Sequence, residues 1–290
     1  MTGAARGIGR EHALEFARQG ARVVVNDLGT SVAGAGRSSA PAEEVVLVIQ
    51  QMGGEAVANG DDIADFEGAG RLVQTALDKF GSLDVVVNNA GFLQDRMFAS
   101  ATEDEWDAVM RVHLKGHFCV SRHASGHWRA LVKAGKSVEG RIINTSSGAG
   151  LLGAVGQSAY SVAKAGIAAL TLVQAAELGR YGVTVNAIAP AARTRMTEVV
   201  FGEMMQPPKT GFDGMNPANI SPLVVWLGSA ESKEVTGRVF ELRGGEICVY
   251  QDWRPGPSVD KAARWDPAEL GTVVHDLLAR AVLPMKVYGA

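Results

Sequence analysis

The chain has 290 residues, a formal net charge of −3 and 47% hydrophobic residues. That supports one sizeable core, in a domain of roughly 200–250 residues plus a tail, and the near-neutral balance argues against nucleic acid or an anionic membrane as partner. Two cysteines, Cys119 and Cys248, form no disulfide framework, which points to a reducing, cytoplasmic compartment. No uninterrupted apolar run approaches ~18 residues, and no metal-ligating constellation stands out.

The chain opens with TGAARGIG (2–9), which sets Gly3, Gly7 and Gly9 before a helical pattern at 8–19. Such glycines let the backbone turn sharply beside a pyrophosphate, which the free N–H groups of the helix start then hold. The apolar run ARVVVND (21–27) reads as a buried strand. It ends in Asp27, 24 residues after Gly3, where roughly 20 is usual for the carboxylate that takes an adenosine ribose. A carboxylate there accepts from the 2′-hydroxyl and repels a 2′-phosphate, which favours NAD over NADP. Asp-Leu-Gly is also a turn signal, and Arg6 is a cation suited to a 2′-phosphate.

A Gly/Ser loop (29–40) and a helix at 41–52 follow, then NGDDI with Asp61 and Asp62, and a helix at 66–80. LDVVVNNAG (83–91), GRIINTSS (140–147), GVTVNAIAP (182–190) and GRVFELRGG (237–245) read as further strands, separated by helices at 103–132, 158–180 and 217–228. The alternation predicts an α/β fold: a Rossmann-like, doubly wound parallel sheet with helices on both faces. The division expected is 1–250 as the dinucleotide-binding and catalytic domain and 251–290 as an extension, with a helix near 268–281 started at Asp266.

Tyr160 and Lys164 lie four apart on one helix face, just after a strand ending in Ser146 and Ser147, at the edge where open sheets bind ligands. A phenol of pKa ~10 is a poor base at neutral pH, but a neighbouring ammonium favours the phenolate. Tyr160 can then take the proton of an alcohol as hydride leaves, or return it to a ketone.

The combination of TGAARGIG, NNAG (88–91), Ser147, Tyr160 and Lys164, and NAIAP (186–190) resembles the short-chain dehydrogenase/reductase family over about residues 2–245. The resemblance implies that Gly3, Arg6, Gly7, Ile8 and Gly9 line the pyrophosphate side, Asp27 takes the ribose and Asp61 and Asp62 flank the adenine. It further implies that Asn88, Ala90 and Gly91 support the sheet beneath the ribose, that Tyr160 and Lys164 touch the nicotinamide ribose, and that Pro190, Ala192 and Thr194 border the nicotinamide. Catalysis would rest on Ser147, Tyr160 and Lys164. His113 stands where the family usually has asparagine in a proton relay, and is read as catalytic or as a packing residue. The thirteen-residue step to Tyr160 selects Ser147 over Ser146.

VVVNDLG, DRMF, WDAVMRVHLKG and IAPAARTRMTE resemble, within that family, the (3R)-hydroxyacyl-CoA dehydrogenase parts of peroxisomal type 2 multifunctional enzymes, and the tail resembles actinobacterial stand-alone relatives. An acyl-CoA or steroid-derived small-molecule substrate and a homo-oligomer, tetramer or dimer, are implied. Met196, Met204, Met205 and Met215 offer apolar surface in a lid over 198–216, and Arg193, Arg195 and Lys209 are candidate partners for CoA phosphates. An NADPH-dependent 3-oxoacyl-carrier-protein reductase is the alternative enzyme. The family's glycine loop follows a central strand, and Met1 stands directly before Thr2-Gly3. That strand is therefore expected ahead of Met1; a chain lacking it would be an inactive fragment or an interaction subunit.

Overall fold

The structure, a computed structural model, describes residues 1–30, 36–195, 197, 202–251, 254–285 and 287. Among these residues, helices α1 (Gly7–Arg18), α2 (Ala40–Gln51), α3 (Phe66–Phe80), α4 (Glu103–Met110), α5 (Gly116–Lys133), α6 (Gly148–Leu152), α7 (Ser158–Leu178), α8 (Ser221–Leu227) and α9 (Leu270–Arg280) alternate with seven strands. These are β1 (Val23–Asn26), β2 (Ala56–Asn59), β3 (Val85–Asn88), β4 (Gly140–Thr145), β5 (Val183–Ala191), β6 (Val239–Arg243) and β7 (Glu246–Val249). β1 and β2 pair in parallel; β3-β4-β5-β6 form a parallel ladder that β7 closes antiparallel.

Residues 1–4 join the two sheets. Met1 donates to the Val24 carbonyl at 3.1 Å and accepts from the Asn26 N–H at 3.0 Å, while the Thr2 N–H reaches the Val87 carbonyl at 3.0 Å. The expected gap is thus closed at the carboxyl end of the sheet, where the glycine loop hangs.

The valine-rich strands are buried because successive side chains enter opposite layers. Val23, Val25, Val87, Ile143 and Ile188 pack with Leu14, Ile49 and Val224 on one face; Val24, Val86, Ile142 and Val185 pack with Leu72, Val120 and Trp128 on the other.

Several elements differ from expectation. β2 escaped notice because AVAN carries only one β-branched residue and is half-buried. β7 is an exposed edge reached through Gly244-Gly245, a hairpin dipeptide that lay inside the predicted strand 237–245. The single helix expected over 103–132 is broken by a π turn at Arg111–Lys115. α7 is long and apolar enough by composition to cross a membrane, although no unbroken apolar run is that long. Its inner face carries Lys164, Thr171 and Gln174, buried against the sheet. Asp266 does cap the tail helix, through a reciprocal box with Glu269, and no residue of α9 itself is buried.

Candidate active site

A cavity of about 1,090 Å³ lies along the carboxyl ends of the strands. One wall is the glycine loop. Gly3 and Gly7 adopt φ of +60° and +52°, which favour glycine. A Cβ on Gly3 would lie 2.7 Å from Ala90 Cα, and one on Gly9 would lie 2.0 Å from the Gly3 carbonyl oxygen. Arg6, at the N-cap of α1, provides no side-chain cap, so the first-turn N–H groups of Gly7, Ile8 and Gly9 remain available to an anion. Asn89 holds the loop, donating through Nδ2 to the Gly3 carbonyl at 3.0 Å, and Thr2 Oγ1 accepts from the N–H groups of Asn89 and Ala90. Asn89 lies in the NNAG stretch (88–91) expected to support the sheet beneath the ribose.

Asp27 sits at the cavity wall, accepting from Ala5 N at 3.1 Å and from Gly29 N at 2.7 Å. Asp27 thus makes the turn and lines the cavity. Arg6 donates to the Thr30 carbonyl at 3.1 Å beside it. Asp61 and Asp62 border the same end. Asp61 accepts from Arg71 at 2.7 Å, and Asp62 from Arg111. Burial works against the Asp62 charge, but the bonds from Arg111 and the Ala64 N–H outweigh it and hold the carboxyl below its usual range.

At the other end stand Tyr160 and Lys164. The Lys164 ammonium is 5.6 Å from the Tyr160 ring centre and donates to the Thr145 carbonyl at 2.6 Å. Burial pushes Lys164 down to about 7. A lysine so placed is balanced between ammonium and amine at neutral pH, as proton transfer needs. The Thr145 carbonyl was not foreseen, since any residue type supplies a backbone acceptor.

Ser146 lines the cavity, but its hydroxyl donates to the Lys164 carbonyl at 2.8 Å. Ser147, off the cavity lining, caps α6 by accepting from Ala149 N at 3.2 Å. Its hydrogen is not used in that bond. α6 packs directly on α7, where a Cβ on Gly150 would lie 2.5 Å from that of Lys164.

His113 is buried on the cavity wall, edge-on to Tyr160 with ring centres 5.3 Å apart. Nε2 lies 2.8 Å from the Phe92 carbonyl oxygen and 3.1 Å from Phe92 N, and Nδ1 has no partner. Burial, then the nearby Lys164 charge, lower its pKa to about 3, so it is a neutral imidazole at working pH. Gly91 makes room for it: a Cβ there would lie 2.3 Å from His113 Cε1.

Asn88 supports the sheet without lining the cavity. Its side chain points away from the cavity, donating to Ser121 Oγ at 2.9 Å and Asn144 Oδ1 at 3.0 Å. Asn144 in turn donates to Thr171 and Gln174. This buried polar network ties β3, β4, α5 and α7 beneath the site; a strand residue alternates faces, and Asn88 falls on the inner one.

Pro190, Ala192 and Thr194 line the cavity, with the Thr194 methyl 3.5 Å from where a Cβ of Gly7 would stand. Arg193 lines the cavity too; it is ion-paired to Asp213 and donates to the Met205 carbonyl at 3.1 Å. Arg195 lines the cavity and Lys209 is exposed. Met205 is buried and Met215 half-buried, and neither lines the cavity; Met196 and the Met204 side chain lie outside the described residues.

A glycine loop at an uncapped helix start, a carboxylate closing the next strand and a half-buried Tyr160 beside the buried Lys164 line one cavity. The short chain dehydrogenase sequence profile matches residues 1–203. The chain belongs to the short-chain dehydrogenase family. It is accordingly an oxidoreductase. A short chain dehydrogenase from Mycobacterium avium, known from its crystal structure, superposes with a TM-score of 0.89 at 61% identity, covering 100% of this chain and 97% of that one. The hydroxyacyl-CoA dehydrogenase ChsB1 of Mycobacterium tuberculosis is 43% identical over 286 residues, 96% of this chain and 87% of that protein. Peroxisomal multifunctional enzyme type 2 of Mus musculus is 44% identical over 247 residues, 85% of this chain but 31% of the longer protein.

Proposed function

We propose that this short-chain dehydrogenase uses NAD to interconvert a secondary alcohol and a ketone on a bulky lipid-like substrate, a 3-hydroxyacyl-CoA or a steroid-derived acyl-CoA. The observation that carries the reading is Tyr160 over the buried Lys164 in the same cavity as the Gly3–Gly9 loop. The cradle fits a dinucleotide: its close backbone approach at Gly3 and Gly9 leaves no room for a Cβ, and the uncapped α1 start suits a pyrophosphate. A nicotinamide, when bound, supplies the hydride acceptor or donor.

The residues do the rest. Ser147 donates its hydroxyl hydrogen to the substrate oxygen and holds it beside Tyr160. The Tyr160 phenolate removes the alcohol proton as the carbinol hydrogen leaves as hydride; in reverse the phenol protonates the ketone oxygen. Lys164 stabilises the phenolate, which in turn restores a partner to its buried charge. His113, neutral and edge-on to Tyr160, fixes the ring. Asp27 supports NAD through its position at the wall; Arg6 is the feature that favours a 2′-phosphate, and with it the reductase alternative. The substrate class is supported by the names of the relatives and by exposed apolar side chains, Met97, Phe98 and Val155, 60–89% exposed. Outward Phe118 on α5 and Val162 and Val173 on α7 support a homo-oligomer built on those helices.

Fluorescence titration with NADH and NADPH, on the protein and on Asp27→Ala, tests the cofactor. Wild type should prefer NADH, and the variant should lose at least about tenfold of that preference, the worth of roughly one charge-assisted bond. Tyr160→Phe should keep NADH binding and lose turnover of 3-hydroxyacyl-CoA by at least about a hundredfold. NADPH preference in wild type, or a Tyr160→Phe enzyme that turns over normally, would overturn the reading.

A further inference from the structure

The Lys164 ammonium sits on the carbonyl of Thr145, the last residue of β4. The backbone there decides where that carbonyl points. In the same peptide unit, the Ser146 N–H donates to the Ile188 carbonyl on the β5 side at 2.7 Å. A trans peptide sets its C=O opposite its N–H, so the Thr145 carbonyl faces away from β5. β3, the neighbour on that side, ends at Asn88, level with Asn144. The geometry of Thr145 therefore depends on side chains.

One of them is His117. The Thr145 N–H donates to its Nε2 at 3.3 Å. His117 stands in the first turn of α5, directly after the π turn, and is fully buried. It lies four residues beyond His113, so the two rings share a face. His113 borders Tyr160, and His117 reaches the end of β4. An imidazole nitrogen accepts only when it carries no proton, so this bond puts the His117 hydrogen on Nδ1. Burial first, then the Lys164 charge, hold the His117 pKa well below 6.5 against the pull of the His113 and Asn88 carbonyls. The ring is a neutral acceptor.

The further tie on this strand end comes from α7 itself, where Ser146 Oγ donates to the Lys164 carbonyl at 2.8 Å. That bond lets the strand end and Lys164 move together. The His117 bond fixes both to α5, the helix that follows His113. Without it, a buried donor loses its acceptor. The strand end must then turn to find another, and the carbonyl beneath Lys164 turns with it.

We propose that His117 is a positioning residue for the Tyr160–Lys164 pair: by holding the Thr145 N–H it fixes the carbonyl on which Lys164 sits. Only the kinetic consequence rests on the dehydrogenase reading given above.

The test compares wild type with His117→Gln, whose amide oxygen can accept the same N–H, and His117→Phe, whose ring cannot. Hydrogen exchange of the Thr145 amide reads the bond directly. It should be slow in wild type and His117→Gln, and at least about tenfold faster in His117→Phe. With NAD and a 3-hydroxyacyl-CoA, His117→Phe should lose at least about tenfold in kcat, while KM and NADH affinity stay within about twofold. His117→Gln should recover kcat to within about threefold of wild type. A wild-type Thr145 amide that exchanges like an exposed one would overturn the proposal, even if His117→Phe does not fold. So would a His117→Phe enzyme with wild-type kcat, one that loses NADH affinity as much as kcat, or a His117→Gln enzyme no better than His117→Phe. A wild type that turns over no 3-hydroxyacyl-CoA would count against the substrate assignment instead, and amide exchange would still decide the role of His117.

Discussion

Gly9→Ala is the sharpest test of the loop. The new Cβ would stand 2.0 Å from the Gly3 carbonyl oxygen and 2.5 Å from Asn89 Nδ2. Both neighbours are held, because Asn89 Nδ2 donates to that same oxygen at 3.0 Å. Relief therefore requires a backbone shift of about 1 Å or more and breaks this bond. Overpacking costs about 1–3 kcal/mol and the lost bond about 1 kcal/mol, so urea unfolding should show about 2–4 kcal/mol of destabilisation. The displaced Gly7–Gly9 N–H groups should weaken NADH binding at least about tenfold, equivalent to one such bond. Gly20→Ala is the control. Gly20 has φ +86° and nothing within 4 Å of its Cβ position, so it carries only backbone strain of about 1 kcal/mol and should leave NADH binding alone. Urea unfolding and NADH fluorescence quenching, run on both variants, decide the matter. A Gly9→Ala protein that binds NADH like wild type, or is no less stable than Gly20→Ala, would refute the cradle geometry.

Other expectations follow from buried groups. Lys164 is lowered to about 7 in the fold against its ordinary 10.5, so the unfolded chain binds more protons between those values and stability should rise with pH across that window. Lys164→Met should flatten that rise in urea titrations at pH 7 to 10. His12 and His113 are lowered to about 3 by burial, and His117 well below 6.5. Stability should therefore fall as pH drops from 6.5 towards 3, and His113→Gln should reduce the slope in acid unfolding followed by circular dichroism. Trp128 is buried at the amino ends of the strands and donates to the Leu83 carbonyl at 2.7 Å. Trp128→Phe leaves that oxygen bare and should cost about 1–3 kcal/mol in urea unfolding, with NADH binding unchanged.

Local chemistry made much of this protein legible from its residues alone. Val23–Val25 and Val85–Val87 could only be strands buried on both faces, because nothing in them offers a polar side. Gly3, Gly7 and Gly9 before a helical period announced the loop, and the four-residue step from Tyr160 to Lys164 put both on one helix face. What depends on contacts far apart in the chain had to come from the tertiary structure. Asn88, the last residue of β3, turns into the network with Ser121 and Asn144, and Asn89 just beyond it meets the glycine loop. Arg193 on the cavity wall is paired to Asp213, twenty residues on. The Lys164 acceptor is the Thr145 backbone carbonyl, nineteen residues away. Periodicity and spacing report what a residue does to its own segment; which groups meet across the sheet is set only when the layers pack.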